Sequence, residues 1–127
     1  MTPHKPRILV VEDDSVFRET VSMAFARKGL VVDSAGDGSE ALALVQITPY
    51  CSVLLDIMLP ATSGFAIVDA MRLTGSQVPV LVLTGTPVDR TALDSSIVKL
   101  VVRKPADLDE VADLVTMLCG DHCAVEM

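Results

Sequence analysis

Five short runs of β-branched and aliphatic residues, each followed by a stretch with helical spacing, constrain this chain more than any other feature. The runs are Ile8-Leu9-Val10-Val11, Val31-Val32, Val53-Leu54-Leu55, Val80-Leu81-Val82-Leu83 and Val98 to Val102. Four of the five are continuously apolar or nearly so. Strands that lack alternating polar residues are covered on both faces, as they are in parallel sheets sandwiched between helices. Five such units in 127 residues predict an open, doubly wound α/β sheet with right-handed crossovers. Ligands of such sheets bind beyond the carboxyl ends of the strands, where the strand order switches direction.

The intervening segments read as helices. Phe17, Val21, Ala24, Phe25 and Lys28 follow the i, i+4, i+7, i+8 spacing, with Asp14 or Ser15 as cap and Gly29 as stop. Gly36-Asp37-Gly38 is a turn opening onto Ser39-Glu40-Ala41-Leu42, with Pro49 beyond that helix. Gly64 to Leu73 carries the next pattern, closed by Thr74-Gly75-Ser76, and Asp107 caps a last helix from Leu108 to about Cys119, with Gly120 after it. The weakest expected helix lies between Pro87 and Ser96, where Thr91, Asp94 and two serines disfavour helix formation.

Composition removes several function classes. Half of the residues are apolar, enough for a core without disulfides or a structural metal. No apolar run approaches the roughly 20 residues of a membrane span, and the first residues are polar, so a cytosolic protein without a membrane role is expected. A net charge of −7 repels a phosphate backbone, which argues against direct nucleic-acid binding and favours a basic protein partner or bound cations. Cys51, Cys119 and Cys123 are odd in number and form no CxxC, so no disulfide framework is expected and a reducing compartment is the simpler reading. Cys119, His122 and Cys123 offer three candidate zinc ligands with no fourth nearby, a poor structural site. The chain has no G-x-S-x-G, and its two histidines, His4 and His122, lie near the termini, so a nucleophilic triad fails.

The strand ends carry the chemistry. The first run ends in Glu12-Asp13-Asp14, the third in Asp56, the fourth in Thr84, and the fifth runs into Lys104-Pro105. Alone, each has an ordinary explanation: an acidic helix cap, a turn residue, a threonine before Gly85, a lysine before proline. Together they place three or more carboxylates, a hydroxyl and an ammonium on one rim. Clustered carboxylates repel unless neutralised, and a hard divalent cation such as Mg²⁺ accepts such oxygens. A rim holding a cation, an ammonium and a hydroxyl suits a transferring phosphoryl group, with the remaining aspartate as nucleophile.

In these blocks the chain resembles response-regulator receiver domains of two-component signalling. "ILVVEDD", "VLLDIMLPATSG", "VLVLTG" and "VVRKP" are similar to the family's four signature blocks, and "AGDGSEAL" to its second βα turn. The resemblance runs from about Arg7 to Cys119 and implies one flavodoxin-like (βα)5 domain over residues 1–127. Its core is expected at about residues 7–119, as a three-layer sandwich around a five-stranded parallel sheet of order 2-1-3-4-5. It implies Asp56 as phosphoacceptor. It implies Glu12, Asp13, Asp56 and the Met58 backbone carbonyl as ligands of Mg²⁺ or Mn²⁺, and Thr84 and Lys104 as the hydroxyl and ammonium that meet the phosphoryl group. The Lys104-Pro105 bond is commonly cis in the family. Implied partners are a sensor histidine kinase or phosphotransfer protein upstream, and a downstream target or fused effector domain. The expected state is a monomer or a weak, phosphorylation-dependent dimer. Such a domain catalyses its own phosphorylation without acting on an outside substrate. The alternative is a pseudo-receiver that docks without phosphorylation.

Two departures from the family pattern concern output. The family's switch aromatic on the fifth strand falls on Val101, and the stretch from Thr84 to Lys104 is shortened and lacks the Gly-Ala step before that strand.

Overall fold

The computed structural model describes residues 5–57 and 63–123. Five strands form: β1 (Arg7–Val11), β2 (Val31–Ala35), β3 (Ser52–Asp56), β4 (Val80–Thr84) and β5 (Val98–Arg103). All pair in parallel in the order β2-β1-β3-β4-β5. β3 and β4 are buried along their whole length, as expected of strands without polar interruptions. A register shift between Val80 and Leu81 precedes the pairing of Thr84 with Arg103.

Four α-helices cover the sheet: α1 (Ser15–Arg27), α2 (Gly38–Ile47), α3 (Gly64–Leu73) and α4 (Leu108–Cys123). Each start is fixed by a short polar side chain. Asp14 accepts from the amides of Val16 and Phe17, Asp37 from Glu40, Ser63 from Ala66, and Asp107 from Asp109 and Glu110. Gly29 follows α1 at φ 87, the left-handed conformation that releases the chain toward β2. Gly120 does not stop the last helix, which runs on to Cys123.

One side of the sheet packs Leu9, Val11, Val53, Leu55, Val80 and Val82 against α2 and α3. The other packs Ile8, Val10, Leu54, Leu81 and Leu83 against α1 and α4, through Val21, Phe25, Val111 and Val115. Period-2 alternation along each strand divides its residues between the two cores. Among the described residues no helix is long and apolar enough to cross a membrane.

The expected helix between Pro87 and Ser96 reduces to one 3-10 turn, Arg90–Ala92. Side chains take the hydrogen bonds that a helix would need. Asp89 Oδ1 accepts from both the amide and the hydroxyl of Thr91, and Asp94 Oδ1 accepts from the amide of Ser96. A concavity of about 230 Å³ lined by Leu93, Val98, Leu100 and Val101 opens beside this segment.

The cysteine reading needs correction at one position: Cys51 is disulfide-bonded, whereas Cys119 is a free, buried thiol. Cys119 Sγ lies 3.6 Å from the Ser52 hydroxyl. The end of α4 therefore lies against the start of β3, a proximity that spacing along the chain does not reveal.

Candidate functional site

The site forms where β1, β3, β4 and β5 end. The Glu12 amide donates to the Ala35 carbonyl at 3.0 Å, so β1 and β2 keep pairing one residue past β1. The Glu12 carbonyl accepts from Arg18 Nη1 at 2.8 Å. The main chain around Glu12 is thus held from both sides. Its carboxylate, 4% exposed, points inward and accepts from the Asp14 amide at 3.3 Å. Asp13 is exposed beside it. Asp56, the last residue of β3, is 8% exposed. Carboxylate oxygens of Glu12, Asp13 and Asp56 all lie within 4.8 Å of one another.

Lys104 reaches this cluster from the end of β5. Its amide donates to the Thr84 carbonyl at 2.7 Å, and a cis Lys104-Pro105 bond follows. Nζ lies 3.1 Å from Glu12 Oε1 and 3.6 Å from Asp56 Oδ2. Burial works against the ammonium, but Glu12 and Asp56 outweigh it and raise the Lys104 pKa above its ordinary value. Glu12 is pushed up to about 7, first by burial and then by its neighbour Asp56, with Lys104 opposing.

Thr84 ends β4 fully buried, as the strand-end reading places it. Its hydroxyl is engaged with Thr86, bonded to the carbonyl at 3.1 Å and accepting from the amide at 3.2 Å. Glu12, Asp13, Asp56, Thr84 and Lys104 are therefore all at one rim. Met58 lies outside the described residues.

Two contacts escape the sequence reading. Arg18 holds the Glu12 peptide, and the Phe17 ring lies under Lys104 Nζ, 4.5 Å from its centroid. The spacing assigned Phe17 to the core face of α1, and only the shared position of both residues at the rim signals the contact.

Glu12, Asp13 and Asp56 all offer carboxylates, the hard oxygen donors that Mg²⁺ and Mn²⁺ accept. Their clustering and the displaced pKa of Glu12 fit a divalent cation between them.

The family profile of the response regulator receiver domain matches residues 8–116. The transcriptional regulatory protein TcrA of Mycobacterium tuberculosis is 37% identical over 107 residues, covering 83% of this chain and 42% of that protein. The response regulator MprA of Mycolicibacterium vanbaalenii is 41% identical over 78 residues, 61% of this chain and 34% of that protein. The chain thus spans less than half the length of these relatives. Among solved structures, the Francisella response regulator 1452 receiver domain aligns with a TM-score of 0.84 at 26% identity, covering 93% of this chain and 99% of that one. The response regulator TrrA of Thermotoga maritima, solved in complex with Mg²⁺-BeF, aligns at 0.80 and 31% identity, covering 89% and 98%. Strand order, rim and matched profile coincide, and the chain belongs to the response regulator receiver domain family.

Proposed function

We propose that this chain is a phosphorylatable receiver of a two-component phosphorelay, with Asp56 as the phosphoacceptor. The observation that carries the reading is the approach of Lys104 to Asp56, 3.6 Å, inside a cluster of three carboxylates. The donor is a phosphohistidine on a histidine kinase or phosphotransfer protein. An Asp56 carboxylate oxygen attacks phosphorus, the P–N bond breaks, and its electron pair stays on the imidazole nitrogen. Glu12, Asp13 and Asp56 would hold Mg²⁺ or Mn²⁺, whose charge would offset that of the clustered carboxylates and of the incoming oxygens. Lys104 pairs with a phosphoryl oxygen, and the Thr84 hydroxyl turns from Thr86 toward the new group. The added charge is the signal.

The Mg²⁺-BeF complex of TrrA supports this reading. The domain core spans about residues 7–119, and the output is a downstream protein or a fused effector. Relatives of this chain include a transcriptional regulatory protein, of which it matches a part. Acetyl phosphate with Mg²⁺ tests the assignment. Wild-type protein gains one phosphoryl mass and Asp56→Asn gains none while keeping its fold. A persistent adduct in the variant moves the acceptor elsewhere. No adduct on the wild type favours the docking-module alternative.

A further inference from the structure

The chain has three phenylalanines, one tyrosine and no tryptophan, and it spends one of these rings on the lysine of the rim. Lys104 Nζ lies 4.5 Å from the Phe17 centroid, within the range where an ammonium is attracted by the negative face of a ring. The ring is seated at the start of α1. Phe17 lies in the first turn of α1, its amide donates to the Asp14 cap at 3.1 Å, and the side chain packs against the core formed by Val21 and Phe25. Among the described residues the Lys104 ammonium thus meets Glu12 at 3.1 Å, Asp56 at 3.6 Å and the ring.

These partners are not equivalent once the site is loaded. Glu12 is one of the three carboxylates that can hold a cation, and a cation draws its electron density away from the lysine. The ring carries no net charge, binds no hard cation, and does not compete with phosphoryl oxygens for them. Its attraction for the ammonium persists when that of Glu12 weakens. A group changes an equilibrium only through its different interaction with the two states, and here the ring matters more in the loaded state.

We propose that Phe17 is a positioning residue for Lys104, holding the ammonium over Asp56 when Glu12 is engaged by a cation. The inference rests on Asp56 being the phosphoryl site.

The test uses the full chain, with beryllofluoride and Mg²⁺ as probe, and changes the ring's charge distribution separately from its shape. Phe17→Leu is expected to lower beryllofluoride affinity about threefold to tenfold, and Phe17→Tyr, which keeps the ring face, to restore it. Site-specific fluorination of the Phe17 ring, which weakens its negative face at nearly constant volume, is expected to lower affinity step by step. An unchanged affinity across the fluorinated series overturns the proposal, because packing alone would give that result. The second readout needs no ligand. In the free protein the Lys104 methylene protons next to Nζ should show an upfield ring-current shift that Phe17→Leu abolishes, and absence of that shift also overturns the proposal. If wild-type protein binds no beryllofluoride while the shift is present, the phosphoryl-site reading fails and this inference falls with it. Normal binding with a flat fluorination series removes the inference alone.

Discussion

Lys104 Nζ is closer to Glu12, at 3.1 Å, than to Asp56, at 3.6 Å. The ammonium is therefore held mainly by Glu12 and only secondarily by Asp56. Replacing it leaves two buried carboxylates facing each other. Lys104→Met should destabilise the metal-free protein by about 2 kcal/mol, below the usual cost of breaking a buried pair because 28% of the lysine side chain is exposed. Mg²⁺ should recover more stability in the variant than in the wild type. Thermal unfolding with and without Mg²⁺ checks this, and equal recovery would contradict it.

Gly64 packs on the chain just past Asp56. A Cβ there would stand 2.6 Å from Ile57 Cα and 2.7 Å from its Cδ1. The first contact is with main chain, which cannot swing aside. Gly64→Ala should cost about 2 kcal/mol or more and slow phosphoryl uptake, since Ile57 follows Asp56 directly. Denaturant unfolding and the rate with acetyl phosphate give the two readouts. A stable variant of normal rate would show that the Ile57 main chain yields freely.

Away from the site, the Tyr50 hydroxyl donates to Asp33 Oδ2 at 2.7 Å, and Arg7 Nε lies 3.0 Å from the same oxygen. Burial, reinforced by Asp33, pushes the Tyr50 phenol up to about 12. Burial opposes the Asp33 carboxylate, but Tyr50 and Arg7 outweigh it and hold its pKa below the ordinary value. A depressed carboxylate stabilises the fold above its unfolded pKa, and that contribution is lost as pH falls through the folded value. Tyr50→Phe should therefore cost about 1 kcal/mol at neutral pH, a gap that closes at pH values below the unfolded aspartate pKa of about 4. Tyr50 is the chain's one tyrosine, so phenolate absorbance reports it alone. Asp33→Asn should lower its titration midpoint toward the ordinary 10.0.

The segment from Gly85 to Ser96 is expected to respond to phosphorylation. The Thr84 hydroxyl bonds to Thr86, and the segment beyond holds only one 3-10 turn and two aspartate-centred turns. Drawing Thr84 toward a phosphoryl group removes those bonds, and few regular main-chain hydrogen bonds hold the rest. Hydrogen exchange with and without beryllofluoride should show protection changes concentrated there. A response confined to the β5 main chain around Val101 would refute this route.

Strand positions were legible because buried parallel strands have an unambiguous pattern, and the rim was legible because residue types at strand ends need no tertiary knowledge. Asp56, Thr84 and Lys104 were found in this way. The low helix propensity between Pro87 and Ser96 was also visible, though not that Asp89 and Asp94 would capture the Thr91 and Ser96 amides. Contacts between distant segments were not legible. Phe17 and Lys104 meet only because α1 begins where β5 ends, at the same edge.

The division of strand residues between two cores has a further consequence. On β4, Val80 and Val82 belong to the α2 and α3 side, so alternation assigns Thr84 to that side as well. On β3, Leu54 belongs to the opposite side, and alternation assigns Asp56 to it, as it does Glu12 after Ile8 and Val10. Val88, Leu93 and Val101 lie with Thr84. The sheet thus separates Glu12 and Asp56 on one side from Thr84 and the irregular segment on the other. On the phosphoacceptor reading Thr84 would be the doorway between them, and a threonine that could not turn would leave the phosphoryl group chemically present but unheard.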